Sequence, residues 1–232
     1  MTQAVINSIK KRVKPDGDAA AANSSDNTVD AIWQLAELFL EDEDEADPSQ
    51  PPQLYAIPTS ATSLNARQRT ILSASWRLLS KHRDEVGVKI YQTIFECAPA
   101  TKRMFPFVQH DADGELVLNN QARFQASRFM QLFEMAATSL DDLDRVLPVL
   151  RNLGTIHSRY VGTRGFQDSY WFVFEDATLL VFRKYLRKAG LSTLQTDETL
   201  VIWRCLTTWL ITHIRTACKQ RLSITQNSQS TD

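Results

Sequence analysis

The stretch Leu153-Gly154-Thr155-Ile156-His157-Ser158-Arg159-Tyr160 decides how this chain is interpreted, because a histidine ends an apolar helical run there. The chain has only four histidines, and His157 lies 52 residues after Phe105 and 32 after Gln125. Burying an imidazole is costly unless its polar atoms have partners. Haem iron is one such partner, since it is commonly held by a single histidine nitrogen. The alternative is a core histidine that is hydrogen-bonded to a backbone carbonyl.

Length and composition indicate one substantial domain with appended segments. The chain has 232 residues, of which 43% are hydrophobic, and its seven glycines and eight prolines leave room for long helices. A net charge of −1 gives no reason to expect a nucleic-acid partner. The three cysteines have no CxxC spacing, which disfavours a disulfide scaffold or a zinc site and favours reduced thiols. Pairing of Cys97 and Cys218 between two chains under oxidation stays open at this stage.

Targeting signals are absent from the sequence pattern. The first residues lack the apolar centre of a signal peptide, and no apolar run approaches the ~18 residues that a membrane span needs. We therefore predict a soluble cytoplasmic protein without a transmembrane segment.

The N-terminal quarter of the chain differs in charge from the remainder. Residues 1–64 hold four Lys or Arg against eleven Asp or Glu, a net of −7, which leaves +6 on the rest. Such a composition is typical of disorder, so we predict a disordered acidic extension over residues 1–63. Within it, residues 29–40 have apolar positions at helical spacing. They form either a short amphipathic helix that docks on the domain, a partner or a membrane, or a transient helix with no partner.

Apolar residues at helical spacing continue from Leu64 to about Lys219, and no stretch there alternates as a half-buried strand does. We predict an all-α domain over 64–219 with seven or eight helices, followed by a polar tail at 220–232. Asn65 and Gln68 match a capping box that opens the first helix. Further helices are predicted at 84–97, 119–139, 140–160, 166–189 and 196–219, with a polar loop at 110–115 and a turn at Gly162–Gly165.

Four stretches together carry a family resemblance. They are Ile71-Leu72-Ser73-Ala74-Ser75-Trp76, Ile94-Phe95-Glu96-Cys97-Ala98-Pro99 leading to Met104-Phe105, Gln121-Ala122-Arg123-Phe124-Gln125-Ala126, and Leu153-Gly154-Thr155-Ile156-His157. With these, residues 64–219 resemble a globin, more particularly the nematode and neuroglobin-like intracellular globins. The resemblance implies a globin fold around haem b (iron protoporphyrin IX), with helices crossing at roughly 50°.

The resemblance also implies roles for particular residues. His157 falls on the position of the proximal iron ligand, and its second ring nitrogen is expected to donate to a backbone carbonyl or hydroxyl of its own helix. Phe105 falls on the corner position that packs against the porphyrin. Leu153, one turn before His157, is expected to pack beneath the haem plane.

Tyr91 and Gln125 fall on the distal side, where many globins carry a histidine in place of the glutamine. The pair is similar to that of nematode globins that hold O2 tightly. A phenol O–H and an amide N–H both donate hydrogen bonds, each contributing ~1–3 kcal/mol to binding of a ligand with partial negative charge. An amide is a poor iron ligand, so we expect an open sixth position. For Tyr91, the alternative is a core tyrosine bonded to a backbone carbonyl.

Three further residues are interpreted through the same resemblance. Phe129 lies one helical turn beyond Gln125, so its ring is expected over the ligand pocket, where it slows ligand entry or holds Tyr91 and Gln125 in place. Arg164 and Arg128 are either contacts of the haem carboxylates or solvated side chains. The connection Val161–Gly165 is expected to be longer than in most globins.

The predicted function is reversible binding of O2, and of CO and NO, for storage, scavenging or transport, without enzymatic activity. An alternative is a haem-based oxygen or redox sensor that acts through a partner of residues 1–64. Another is NO dioxygenation or a related redox reaction, which needs a reductase because the chain carries no GxGxxG nucleotide motif. A homodimer is left open.

Overall fold

Six α-helices make up most of the residues that the computed structural model describes, namely 60–105, 108–110, 116–118 and 120–229. They are α1 (Ala66–Ser80), α2 (Arg83–Cys97), α3 (Asn120–Thr138), α4 (Leu147–Arg164), α5 (Tyr170–Lys188) and α6 (Thr193–Gln229). Three 3-10 helices lie at Ala61–Ser63, Pro99–Met104 and Leu143–Val146. The all-α class is confirmed. The six α-helices and the longest 3-10 helix, Pro99–Met104, together make seven helices among the described residues, and the prediction was seven or eight.

Capping explains where the first and last helices begin. The amide of Gln68 donates to Asn65 Oδ1 at 2.9 Å and the amide of Asn65 donates to Gln68 Oε1 at 3.0 Å, which is the predicted box. Ser192 and Gln195 form the same reciprocal pair, so α6 begins at Thr193, before the predicted residue 196. The helix then continues to Gln229, because no glycine or proline interrupts residues 219–229. Residues 220–229 are therefore helical, so the last helix extends ten residues beyond its predicted end at residue 219.

The helix that carries His157 is displaced along the chain from its prediction. It begins at Leu147 instead of residue 140, after the 3-10 helix Leu143–Val146, and it passes through Gly162 to Arg164. It ends at Gly165, which has φ 64°, a left-handed conformation that glycine adopts without strain. The predicted turn at Gly162–Gly165 and the long connection at Val161–Gly165 are thus mostly helix, since one glycine weakens a helix without ending it.

Two short strands connect the 3-10 helix Pro99–Met104 to α3. They are β1 (Val108–His110) and β2 (Leu116–Leu118), paired antiparallel with His110 opposite Leu116. His110, the first residue of the predicted polar loop, is therefore part of β1, and the rest of that loop (111–115) lies outside the described residues. Similarly, α5 starts at Tyr170, after an irregular segment that includes Phe166.

Residues near the predicted N-terminal boundary of the domain are packed. Ala61 and Leu64 are each 2% exposed; Leu64 is the first residue of the predicted domain, and Ala61 lies in the range assigned to the extension. Residues 1–59, with the helix expected at 29–40, lie outside the described residues. Among the helices that are described, none is long and apolar enough to cross a bilayer.

The cysteines are buried or half-buried. Cys97 and Cys218 are buried and Cys205 is half-buried. Burial raises the pKa of the Cys205 thiol to about 11 and also raises that of Cys218. Buried, protonated thiols react slowly, so this placement gives no support to the pairing of Cys97 with Cys218 that the sequence left open.

Trp203 of α6 lies at the centre of the core and contacts three aromatic rings. The ring centroids of Phe182, Phe133 and Trp76 lie 4.9, 6.1 and 6.1 Å from its own. Its indole nitrogen donates to Ser75 Oγ at 2.9 Å, and both residues are buried. This buried polar contact ties α1 to α6 within the core.

Replacing that serine is expected to destabilise the fold. Ser75→Ala leaves the Trp203 N–H without its acceptor, which costs ~1–3 kcal/mol of unfolding free energy. Urea unfolding of the variant measures this loss. Ser80→Ala is the control, because the Ser80 hydroxyl bonds only the Arg77 carbonyl of its own helix, and its effect should stay below ~0.5 kcal/mol. Equal effects of the two substitutions would contradict the role of the indole bond.

Candidate functional site

A hydrogen bond to its own helix orients the imidazole of His157 on α4. Its Nδ1 donates to the carbonyl oxygen of Leu153, one turn earlier, at 2.8 Å. This contact matches the expected hydrogen bond to a backbone carbonyl of the same helix. Burial lowers the pKa of His157 below its ordinary value, and the bond to Leu153 opposes part of that shift. The imidazole is therefore neutral at pH 7, with its lone pair on Nε2.

The Nε2 atom of His157 satisfies the requirement for coordination. Among the described residues, Nε2 of His157 has no hydrogen-bonding partner. Every fully enclosed side-chain nitrogen or oxygen atom of these residues does have such a partner. Nε2 therefore opens onto accessible space even though most of its ring is covered. A neutral imidazole with Nδ1 bonded to a carbonyl and Nε2 available is the usual form of a haem-ligating histidine.

Aromatic side chains surround the His157 ring on the sides away from its backbone. The ring centroids of Trp171, Phe166 and Tyr160 lie 4.9, 5.6 and 6.2 Å from that of the imidazole. We call these four residues the histidine cluster. Trp171 and Phe166 are themselves in contact at 4.8 Å and are buried, so they fix the imidazole from beyond its own helix.

A second aromatic cluster surrounds Tyr91 on α2. The rings of Phe105, Phe129, Phe95 and Phe174 lie 5.4, 5.8, 6.0 and 6.3 Å from the phenol ring, mostly edge-on. With Gln125 these residues form what we call the tyrosine cluster. Tyr91 is 3% exposed, so its position is set by packing. The contact of Phe129 with Tyr91 agrees with the suggestion that this ring holds the tyrosine in place.

Gln125 Nε2 donates to the Tyr91 hydroxyl oxygen at 3.3 Å. Because the amide is the donor, the phenol keeps its own hydrogen available for another acceptor. Burial raises the pKa of Tyr91 to about 12, while the bond from Gln125 lowers it in part. The alternative of a core tyrosine bonded to a backbone carbonyl is not seen, since Gln125 is the hydroxyl's partner among the described residues.

Close contact of α2 with α3 brings Tyr91 and Gln125 together. Gly87, one turn before Tyr91, lies against Ala126, and a Cβ on Gly87 would be 2.9 Å from the Ala126 carbonyl oxygen and 2.9 Å from Met130 Cγ. Only glycine allows the two backbones to approach this closely. The distance between Tyr91 and Gln125 therefore depends on Gly87.

The two clusters are connected along α5 and at the end of α4. Trp171 of the histidine cluster and Phe174 of the tyrosine cluster are three residues apart on α5, and thus on one face. The helices that carry Gln125 and His157 pack extensively on other elements, α3 on α2 and α4 on α6, and little on each other within the described residues. The arrangement therefore places a neutral imidazole and a hydrogen-bonding pair on separate helices joined by aromatic side chains.

Other residues singled out in the sequence have different surroundings. Arg164 Nη1 donates to the Met104 carbonyl at 2.6 Å, next to Phe105, so it ties the end of α4 to that corner. Arg128 is exposed, and its guanidinium lies 5.9 Å from the ring of Phe124. Leu153 is half-buried and supplies the carbonyl that binds His157.

Sequence reasoning missed Trp171, Phe166 and Phe174. The signal for two of them was present, because Trp171 and Phe174 have the spacing of one helix face. Nothing in the spacing indicated that this face meets both His157 and Tyr91, since that depends on how α5 crosses the other helices.

Residues 88–206 match the model of the globin family. Cytoglobin-1 of Oryzias latipes is 31% identical over 96 residues, which cover 41% of this chain and 54% of the cytoglobin. The chain therefore aligns with only about half of that relative's length.

Two other relatives are aligned over more of their length. An anaerobic nitrite reductase of Gossypium hirsutum is 30% identical over 118 residues, or 48% of this chain and 68% of the relative. Neuroglobin of Danio rerio is 24% identical over 56% of this chain and 84% of its own length. The crystal structure of a hexacoordinated heme protein from an anhydrobiotic tardigrade has the same fold, with a TM-score of 0.58 and 22% identity over 67% of this chain and 96% of that one.

Proposed function

Since this chain is a member of the globin family, we propose that it binds haem b through His157 and binds O2 reversibly beside Tyr91 and Gln125. When bound, haem would supply an iron that binds O2, with His157 as the residue that would hold the iron. The observation that carries the proposal is the pairing of two features in one fold. A neutral imidazole has its Nε2 available, and a buried phenol keeps its own hydrogen for a ligand.

The histidine cluster supports the role of His157 as ligand. A hydrogen bond from Nδ1 to the Leu153 carbonyl increases the basicity of Nε2 and fixes the ring plane. Packing of Trp171 and Phe166 around the imidazole limits its rotation. A ligand held in one orientation loses little entropy when it binds the iron.

The tyrosine cluster supports binding of a ligand that accepts hydrogen bonds, as O2 does. The Gln125 amide polarises the Tyr91 hydroxyl by donating to its oxygen, which strengthens the phenol as a donor. Phenylalanine rings on several sides exclude water from this bond. Exclusion of water lowers the local dielectric and increases the contribution of the bond to ligand retention.

Gln125 also bears on the state of the iron in the absence of O2. A relative in the same fold is described as hexacoordinated, a state that needs a second strong side-chain ligand. The amide of Gln125 is a poor ligand, and it is already engaged with Tyr91. We propose a five-coordinate ferrous state with an open sixth position.

A second candidate function is reduction of nitrite, which rests on the name of the Gossypium hirsutum relative. Within the described residues no histidine lies in the tyrosine cluster to supply a proton, and burial keeps Tyr91 protonated up to a pH of about 12. These surroundings favour donating a hydrogen bond over transferring a proton, so reversible O2 binding is the better-supported function.

The test is spectroscopic and kinetic. Purified full-length protein is reconstituted with haem, and its absorption spectrum is recorded in ferric, ferrous and ferrous-CO forms. A five-coordinate ferrous spectrum with slow O2 release supports the proposal. A six-coordinate ferrous spectrum, or rapid anaerobic turnover of nitrite without a stable O2 complex, would overturn it.

The pKa of Tyr91 predicts how O2 release depends on pH. A phenol with a pKa of about 12 keeps its hydrogen at every pH below that value and loses it as the pH rises through 12. The O2 dissociation rate should therefore be flat between pH 6 and about 11, whereas an ordinary tyrosine with a pKa near 10 is already half ionised at about pH 10. Stopped-flow measurement across this range checks the prediction. An increase in rate with a midpoint near pH 10 would contradict it.

A further inference from the structure

The face of α4 that packs on α6 is a narrow buried stripe of Leu150, Gly154 and Ser158, spaced four residues apart. The contact of α4 with α6 is the most extensive between any two helices of the described residues. His157 lies on the same helix, three residues after Gly154, and Leu153 just before Gly154 supplies its hydrogen-bond acceptor. The position of this stripe on α6 therefore determines where the imidazole lies.

Gly154 lies where the two helices are in closest contact. A Cβ at this position would be 2.5 Å from Ala217 Cβ, 2.6 Å from the Ile214 carbonyl oxygen and 2.8 Å from the Cys218 amide nitrogen. Two of these three atoms belong to the backbone of α6 and cannot rotate away. Any larger residue at 154 would displace α4 from α6, since side-chain rearrangement cannot relieve the overlap.

Other contacts of the imidazole lie on a different part of the chain. Trp171 belongs to α5, so it does not move with α4. Phe166 follows the end of α4, and its amide donates to the Tyr160 carbonyl of that helix at 3.1 Å. A displaced α4 carries His157 and its Leu153 acceptor together, but it changes the position of the ring against Trp171. The close contact at Gly154 thus sets the imidazole relative to the rest of the pocket.

We propose that Gly154 is a positioning residue that fixes the place of His157 relative to the haem iron by holding α4 against α6. This inference rests on the proposed function, because it concerns the bond between His157 and the iron. Gly154 touches no haem atom in this proposal and acts only through the helix. A sideways shift of α4 tilts the imidazole away from its best approach to the iron and weakens the bond.

Gly154→Ala in the full-length protein tests the proposal, with Gly162→Ala as the matched control. Gly162 lies on the same helix, and a Cβ there would have no atom within 4 Å. We expect Gly154→Ala to lower haem affinity about 10- to 100-fold, the range typical of residues that orient a metal ligand. Resonance Raman of the ferrous form should show a lower iron–histidine stretching frequency. The C–O stretch of the CO complex, which reports the Tyr91 side, should be unchanged.

Several outcomes separate a positioning role from a structural one. Reduced thermal stability with an unchanged iron–histidine band in Gly154→Ala would overturn the inference, as would equal effects of Gly162→Ala. If Gly154→Ala does not fold, Ala217→Val enlarges the same contact from α6, and an unchanged band in that variant overturns the inference. A wild-type protein that takes up no haem would overturn the proposed function itself and this inference with it.

Discussion

Replacement of His157 by alanine is expected to abolish stable haem binding. The substitution removes the nitrogen that we propose as the iron ligand, while Tyr91 and Gln125 on the opposite side supply only hydrogen bonds. Removing an outer-shell partner commonly costs about 10- to 100-fold in metal affinity, so loss of the ligand itself should exceed ~100-fold. Titration of haem into haem-free protein measures the affinity, and the ferrous spectrum reports the coordination.

His213→Ala is the matched control for this substitution. His213 Nδ1 bonds the Trp209 carbonyl at 2.9 Å, and the two rings lie 4.4 Å apart, which reproduces the local surroundings of His157 on α6. Haem affinity should be unchanged in this variant. Added imidazole should restore a five-coordinate ferrous spectrum to His157→Ala, by occupying the vacated space. A five-coordinate spectrum in His157→Ala without added imidazole would refute the ligand assignment.

Replacement of Tyr91 by phenylalanine is expected to speed O2 release by about 10- to 100-fold. The change removes one hydroxyl, worth ~1–3 kcal/mol as a donor, and keeps the ring that packs on the four phenylalanines of the tyrosine cluster. CO accepts hydrogen bonds poorly, so its dissociation should change much less. Stopped-flow displacement of O2 by CO measures the first rate, and displacement of CO by NO measures the second.

Tyr185→Phe controls for loss of a buried phenol elsewhere. Tyr185 is also buried, and its hydroxyl donates to Glu85, outside the tyrosine cluster. O2 release from this variant should match that of the wild type. A rate in Tyr91→Phe that also matches the wild type would show that the tyrosine gives no hydrogen bond to O2.

The hydrogen bond between Gln125 and Tyr91 predicts that the two residues act as a unit. Gln125→Leu removes the donor that orients the phenol, so part of the Tyr91 contribution should be lost with it. The increase in O2 dissociation rate in the double variant should therefore be smaller than the product of the increases in the two single variants. Independent effects of the two substitutions would argue that the amide and the phenol contact the ligand separately.

Much of the fold could be predicted because its causes are local. The capping box of Asn65 and Gln68 starts α1 regardless of what the helix packs against. Apolar spacing is enough to predict the ends of α2 and α3 to within a residue or two. Predictions failed mainly at helix ends, where local signals are weak. Gly162 lies inside a helix that continues to Arg164, and residues 220–229 continue α6 despite their polar composition.

The features of the candidate site also came partly from the sequence and partly from the tertiary structure. His157 was singled out from the residues alone, as a histidine on an apolar helical stretch, whereas Tyr91, Gln125, Phe105 and Phe129 were identified through the resemblance to globins. The packing of the helices added that Gln125 donates to Tyr91, that α5 contacts both clusters, and that Gly154 lies tightly against α6. These facts depend on distances between helices far apart in sequence, and such distances follow from how whole faces pack.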